Sequence, residues 1–254
     1  MEAIAAEYKR LEEISLNGWP ALQTVLLGGW LVRFADGYTK RSNSVSAIYD
    51  GFTKADEKIR ICEALYRARG LAPVFKVTPF VHPGDLDDRL RSRGYGKIDH
   101  TLVKTAPLAG IEAPSREDLT LTEEITEVWL DAVTELQRLT PSQRETTRRM
   151  FANRPLKQGF AMLEENGRPV ACGLAVIEDG WAGLYDIVTA PEARGRGFGE
   201  AITRGLFRYA HKLGARMGYL LVVRDNAAAN GLYDKLGFET VYEYWYRIGT
   251  NGKA

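Results

Sequence analysis

The 254-residue chain has few of the groups that hold metals or cross-links: two cysteines, Cys62 and Cys172, and three histidines, His82, His100 and His211. The cysteines lie far apart in apolar company, as buried free thiols do, and neither they nor the histidines recur at a metal-ligand spacing. A disulfide framework and a metal centre are therefore not expected, and each histidine reads as a surface or structural group. No run approaches the ~18 apolar residues of a membrane span and no secretory leader opens the chain, so a cytoplasmic protein is expected. Charge of one sign is also missing, since 34 Lys and Arg stand against 33 Asp and Glu. Such balance provides no global field for nucleic acid or an anionic membrane. Any polyanion must be caught by a local arrangement.

Hydrophobic residues make up 45% of the chain and charged residues 26%, the composition of a globular protein long enough for one large domain or two smaller ones. Its most informative stretch is residues 185–199, YDIVTAPEARGRGFG, which reads as a strand, a glycine-rich loop and the start of a helix. Gly195, Gly197 and Gly199 allow positive φ and close approach of backbone N–H groups to a ligand. Arg194 and Arg196 add positive charge, and the helix N-terminus favours an anion at the same place. This is a phosphate cradle. A P-loop is excluded because no Gly-Lys-Ser/Thr follows the glycines. A dinucleotide fingerprint is disfavoured by the G-x-G-x-G spacing and by the absence of a ribose-binding acid about 20 residues on, where the chain reads Leu220 to Arg224.

The first half opens on an amphipathic helix, residues 1–17, with Ile4, Tyr8, Leu11 and Ile14 on one stripe. WLVRFA and YTKRSNSV flank Asp36-Gly37 and predict a tight hairpin there. A helix over 55–69, a strand PVFKVTPF, a short helix DLDDRLRSR and a strand from Tyr95 to Lys104 follow. Trp30, Arg33, Tyr38 and Arg41 place aromatic and cationic groups along the hairpin and are candidate substrate-binding residues. The second half repeats the order. Gly70 and Gly94 are 24 residues apart, Gly214 and Gly237 are 23 apart, and the second glycine of each pair precedes an aromatic, Tyr95 or Phe238. A duplicated unit is expected. Its first copy has DGFTKAD where the second has the phosphate cradle, with acids that would repel a pyrophosphate.

The boundaries expected from composition are a first domain over 1–104, a Pro- and Gly-containing linker over 105–117, and a second domain over 118–254. In the second, a helix starts near Thr122 as its cap, and Pro141 opens a basic helix. A three-stranded meander turns at Asn166-Gly167 and Asp179-Gly180. After the cradle come an amphipathic helix, the apolar strand MGYLLVV, and a short helix capped by Asn226 and containing Gly231, a costly residue there unless a ligand or neighbour comes close.

Two motifs, R-x-x-G-x-G at Arg194, Gly197 and Gly199 after Pro191-Glu192, and NAAANGLYDKLGF from Asn226 to Phe238, resemble the GNAT superfamily of acyl-CoA-dependent N-acetyltransferases. The resemblance implies an α/β fold of two GNAT-like domains in tandem, each with a mostly antiparallel mixed sheet flanked by helices, the first degenerate and completing a substrate cleft. It implies acetyl-CoA as co-substrate and no metal. Two strands would splay to admit pantetheine, with Ile187, Val188 and Thr189 pairing to it, Asn226 beside it, and Arg194, Gly195, Arg196, Gly197, Phe198 and Gly199 around the pyrophosphate. Tyr233 matches the tyrosine that gives the departing thiolate a proton while contacting the cofactor. An extra residue between Val188 and Pro191 departs from the family spacing and blurs which backbone atoms meet it. Asp186 interrupts an apolar strand and is the candidate base or amine anchor, a structural hydrogen bond being its rival. The expected partner is an amine acceptor, either a small molecule or a peptide or protein lysine, and the expected state a monomer or homodimer. A non-catalytic acyl-CoA sensor and a GNAT-shaped interaction module are the alternatives.

Overall fold

A computed structural model describes residues 2–112, 116 and 118–250, with side chains from residue 6 onward. The expected linker thus falls partly outside the described residues, as does Ile4's side chain. The first half runs α1 (Glu2–Gly18), β1 (Gln23–Leu27), β2 (Trp30–Phe34), β3 (Val45–Ser46), α2 (Ala55–Arg67), β4 (Val74–Val77), α3 (Leu86–Ser92) and β5 (Gly96–Pro107). The second runs β6 (Thr120–Thr122), α4 (Glu127–Gln137), α5 (Pro141–Phe151), β7 (Lys157–Glu165), β8 (Arg168–Glu178) and β9 (Trp181–Thr189). It ends with α6 (Phe198–Lys212), β10 (Met217–Val223), α7 (Ala227–Lys235) and β11 (Glu239–Ile248). A shift of 143 residues carries the start of α2 onto that of α6 and the start of β5 onto that of β11.

The chain forms two compact units, one of residues 1–103, 223–226 and 241–254, the other of residues 104–222 and 227–240. In the first, strand order is β1-β2-β3-β4-β11. The last strand of the chain thus closes the sheet of the first unit, pairing antiparallel with β4 from Trp245↔Val77 to Ile248↔Val74. Its core gathers Trp30, Val32, Phe34, Ile59, Cys62, Tyr66 and Phe75, with Trp245 packed against it.

The tight hairpin expected at Asp36-Gly37 is displaced. It lies between β1 and β2, where Gly28 (φ 48) and Gly29 (φ 83) make the turn, and Leu26↔Leu31 and Leu27↔Trp30 pair across it. Gly29 is obligatory there, because a Cβ would sit 2.4 Å from the Asp50 carbonyl oxygen. Asp36-Gly37 instead begins a wide loop that Asn43 organises. Its Oδ1 accepts from the N–H groups of Ala35 at 2.8 Å and Gly37 at 3.0 Å, and its Nδ2 donates to Tyr38 O at 2.7 Å. A side chain has replaced the hairpin ladder.

The second unit has the order β10-β9-β8-β7-β6. The meander turns where expected, at Asn166-Gly167 (φ 53 and 72) and Asp179-Gly180 (φ 49 and 76), with both central residues of each turn left-handed. Pro141 opens α5 behind a capping box of Thr140 and Gln143. The first helix starts later than expected. Thr122 closes β6, paired with Phe160, and the cap is Thr126, whose Oγ1 accepts from Trp129 N at 3.1 Å. Phe198, Ala201, Ile202, Gly205, Leu206 and Ala210 form the buried stripe of α6. Trp129 of α4 donates its indole N–H to Ala161 O at 3.1 Å, which fixes α4 over β7. Both units are mixed sheets, mostly antiparallel, flanked by helices, as a GNAT-like fold requires.

Candidate active site

The site grows from β9 and β10, the one parallel pair among the described strands of the second unit. β10 pairs with β9 at four positions, from Met217↔Trp181 to Leu220↔Leu184. Beyond these β9 continues to Thr189 and β10 to Val223, with no further pairing between them. The strands part after Leu184 and Leu220, and one backbone edge of β9 over residues 185–189 faces the gap. Close packing holds the paired half shut. A Cβ on Gly183 would lie 2.3 Å from the Tyr219 ring, and the Tyr219 hydroxyl lies 2.6 Å from that of Tyr185 in a buried contact.

A bulge marks the point of divergence. Leu174 pairs with Tyr185 and Cys172 with Val188, so Asp186 and Ile187 together oppose Gly173. Asp186 takes φ 50, a left-handed conformation that aspartate tolerates better than most residues. Gly173 must be small, because a Cβ would lie 2.4 Å from Ile187 Cδ1. Nothing in the spacing of Tyr185 to Thr189 signals this bulge; the isolated Gly173 in the facing strand is the one residue that hints at it. Asp186 is half-buried. Burial, then the nearby Asp186 charge, push the buried Cys172 thiol well above its usual range.

Beyond Thr189 the chain makes a short 3-10 turn, Pro191–Ala193, and enters the glycine loop. Gly195 (φ 75) and Gly197 (φ 82) are both left-handed, and among the described residues no atom lies within 4 Å of a Cβ built on either. The loop is open where a ligand would approach. Gly197 caps α6 with no side-chain hydrogen bond, so the first N–H groups of the 15-residue helix have neither an intrahelical acceptor nor a side-chain cap. Arg194 is exposed. Arg196 bonds Glu165 at 2.7 Å and stands 5.0 Å from the Phe198 ring, whose centroid also lies 4.6 Å from the Arg116 guanidinium. Arg116 is a further cation at this helix end that composition placed only in a linker.

α7 is tied to the same helix end. Lys235 bonds Glu200 at 3.3 Å, Glu200 bonds Arg204 at 2.9 Å, and Lys104 pairs with Asp234. The hydrogen bond from Arg204, opposed by burial and helped by Lys235, holds the Glu200 carboxyl below its ordinary range. Tyr233 is 7% exposed, edge-on to Phe238 at 6.0 Å, while Phe238 stacks on Phe207 at 5.4 Å. Gly231 has no described atom within 4 Å of its Cβ position, so no protein neighbour accounts for it. Asn226 immediately precedes α7.

Ile187 to Thr189, Arg194 to Gly199 and Tyr233 thus share the second unit. Trp30, Arg33, Tyr38 and Arg41 lie in the first. Trp30 is fully buried and donates to His82 O at 2.7 Å. The Arg33 guanidinium is spent on three carbonyls, Trp19 at 2.6 Å, Arg41 at 2.8 Å and Leu16 at 2.9 Å. Tyr38 is buried at 7% exposure, and Arg41 sits 5.9 Å over the Trp19 ring. Both cysteines are free and buried. Among the described residues no cluster of His, Cys, Asp and Glu could hold a metal, and no helix is long and apolar enough to cross a membrane.

A glycine loop on a helix N-terminus, set beside two parallel strands that part, defines a GNAT acetyltransferase. The chain belongs to the family described as "Probable histone acetyltransferase Rv0428c C-terminal", whose model matches residues 5–247. It is 31% identical over 246 residues to "Uncharacterized N-acetyltransferase YobR" of Bacillus subtilis, covering 95% of this chain and 98% of that one. Among solved structures, a GCN5-related N-acetyltransferase from Kribbella flavida superposes with TM-score 0.70 at 15% identity, covering 96% of each chain. A tandem GNAT protein from the clavulanic acid biosynthesis pathway superposes with TM-score 0.58 at 15% identity, over 83% of this chain and 76% of that one.

Proposed function

We propose that the protein transfers an acetyl group from acetyl-CoA to a primary amine in the second unit. The parting of β9 and β10 beyond Leu184 and Leu220, directly upstream of an open glycine loop, carries this reading. The residues fit the cofactor. Loop N–H groups from Gly195 to Gly199 and the α6 dipole would hold the pyrophosphate, with Arg194 and Arg196 adding charge. The free edge of β9 at Ile187, Val188 and Thr189 would pair with the pantetheine amides as an added strand. Asn226 would flank the arm.

Bound acetyl-CoA supplies a thioester, a carbon electrophile with a thiolate leaving group. The chain must then orient a neutral amine, stabilise the oxyanion and protonate the sulfur. Tyr233, on α7, whose Lys235 pairs with Glu200 in the first turn of α6, would donate that proton. Asp186, at the bulge where the strands part, would anchor the amine. The alternative is a non-catalytic acyl-CoA sensor, which needs the loop but not Tyr233.

Replacing Tyr233 with Phe separates the two. The enzyme reading expects thiol release from acetyl-CoA, assayed over a panel of primary amines, to fall by about 100-fold with unchanged cofactor affinity. Equal rates in the two proteins would remove Tyr233 as the acid.

A further inference from the structure

β1 ends the sheet of the first unit, and among the described residues no strand pairs with its outer side. Its five residues, Gln23–Leu27, pair with β2 in unbroken register, and the first four are exposed. Edge strands are commonly guarded by charge, proline or a bulge. β1 has none of these. No charged residue stands between Glu13 and Arg33, in a chain that is 26% charged, and neither proline nor a register shift interrupts the strand. Leu26 is 71% exposed and Val25 38%. The fully exposed Phe52 follows Gly51, which packs so closely on the Gly28-Gly29 turn that a Cβ would lie 2.3 Å from Gly28 O.

The hydrogen-bond phase of the hairpin decides what this edge offers. Leu27↔Trp30 closes a two-residue turn and so exchanges backbone bonds, and alternation gives Val25↔Val32 and Gln23↔Phe34 the same inward phase. Thr24 and Leu26 therefore turn their N–H and C=O groups outward. A strand laid antiparallel with its centre at Val25 would satisfy both residues. A second β1 is such a strand, because a twofold axis at Val25 sets Thr24 of each copy against Leu26 of the other. The absence of charge leaves no like-charge pair across that axis, and it gives a charged foreign segment nothing to pair with.

The second copy of the duplicated fold has this position filled. The 143-residue shift carries β2 onto residues 173–177 of β8, whose antiparallel neighbour β7 is covered in turn by β6, antiparallel from Thr120↔Met162 to Thr122↔Phe160. In the first unit β1 holds the place of β7, and no described strand follows it. We infer that the protein self-associates as a twofold dimer through β1, each copy supplying the strand that covers the other's edge. Such pairing does not depend on the acetyltransferase reading. Two five-residue strands, with Leu26, Val25 and Phe52 around them, offer less surface than a standard interface of about 1,600 Å², so monomer and dimer exchange and their ratio follows protein concentration.

Sedimentation equilibrium of the full-length protein between roughly 1 and 300 μM tests this. Wild type should rise from the mass of one chain towards that of two. Thr24→Pro removes an outward N–H from each edge at a site where proline is tolerated, and Leu26→Lys puts charge on the edge. Each should raise the dissociation constant at least ~10-fold with near-ultraviolet circular dichroism unchanged. Register is read by mild oxidation of Val25→Cys, since Cys62 and Cys172 are buried. Residue 25 would oppose its own copy at a non-hydrogen-bonded position, with Cα atoms about 4.5 Å apart and within disulfide reach, whereas the two copies of residue 23 would lie roughly 14 Å apart. Val25→Cys should therefore form a covalent dimer and Gln23→Cys should not. The mass of one chain at every concentration would overturn the proposal. So would a dimer that Thr24→Pro and Leu26→Lys leave intact, or one that crosslinks equally from both positions, because either places the contact on another surface.

Discussion

At the scale of the residue, Gly197 carries the most weight. Its φ of 82 strains any side chain, while among the described residues the space over its Cβ position is open, as a ligand's approach requires. Gly197→Asp would put strain and a negative charge where the pyrophosphate is expected, so acetyl-CoA affinity should fall by at least ~100-fold, read by calorimetry. Unchanged affinity would move the cofactor elsewhere. Gly183 makes a complementary case for stability. A Cβ 2.3 Å from the Tyr219 ring must push apart the paired half of β9 and β10, and Gly183→Ala should cost about 1–3 kcal/mol in chemical denaturation. No loss would mean that the strands separate without strain.

Asp87 links residue to element. It accepts from Arg247 Nε at 2.8 Å and from the Trp245 indole at 2.7 Å, joining α3 to β11. The hydrogen bond from Arg247, opposed by burial and aided by Trp245, holds its carboxyl below the ordinary range. A depressed folded-state pKa means that this contribution is present above the unfolded value near 3.9 and is lost as pH falls through the folded value. Wild-type stability should therefore drop below about pH 4, and Asp87→Asn should flatten that fall; the same slope in both proteins would assign the acid sensitivity elsewhere. Much at this scale was readable in advance. Asn-Gly and Asp-Gly signalled the meander turns because both residues must be left-handed, and the apolar stripe of α6 follows helical spacing. Asp36-Gly37 misled because Asn43, six residues beyond Gly37, supplies the loop's hydrogen bonds from a side chain. The Asp186 bulge left only Gly173 as a hint, because it depends on the register against β8. Arg116 met Phe198 only through tertiary packing.

For the whole molecule, the duplication visible in the glycine spacings does not translate into two independent halves of chain. Residues 241–254 belong to the first compact unit, where β11 covers the edge of β4 and supplies Trp245 and Arg247. A chain ending at residue 104 would lose that strand and expose the apolar Val74–Val77 edge. It should lack near-ultraviolet circular dichroism and a cooperative thermal transition; a sharp transition would show that the first half folds alone.

The degenerate copy also accounts for why a single cofactor is expected. In the second unit the paired segment ends at Leu184 and β9 is left open. In the first, Val45 and Ser46, which the 143-residue shift aligns with Val188 and Thr189, pair directly with Phe75 and Lys76. The strand that would receive pantetheine is already used, and DGFTKAD replaces the cradle. One measurement tests this account most directly, the calorimetric titration of the intact protein with acetyl-CoA alongside ATP and NAD, which share phosphates but lack pantetheine. The account predicts tight binding of acetyl-CoA alone, at one site per chain. Two sites, equal binding of ATP, or no heat with acetyl-CoA would contradict it.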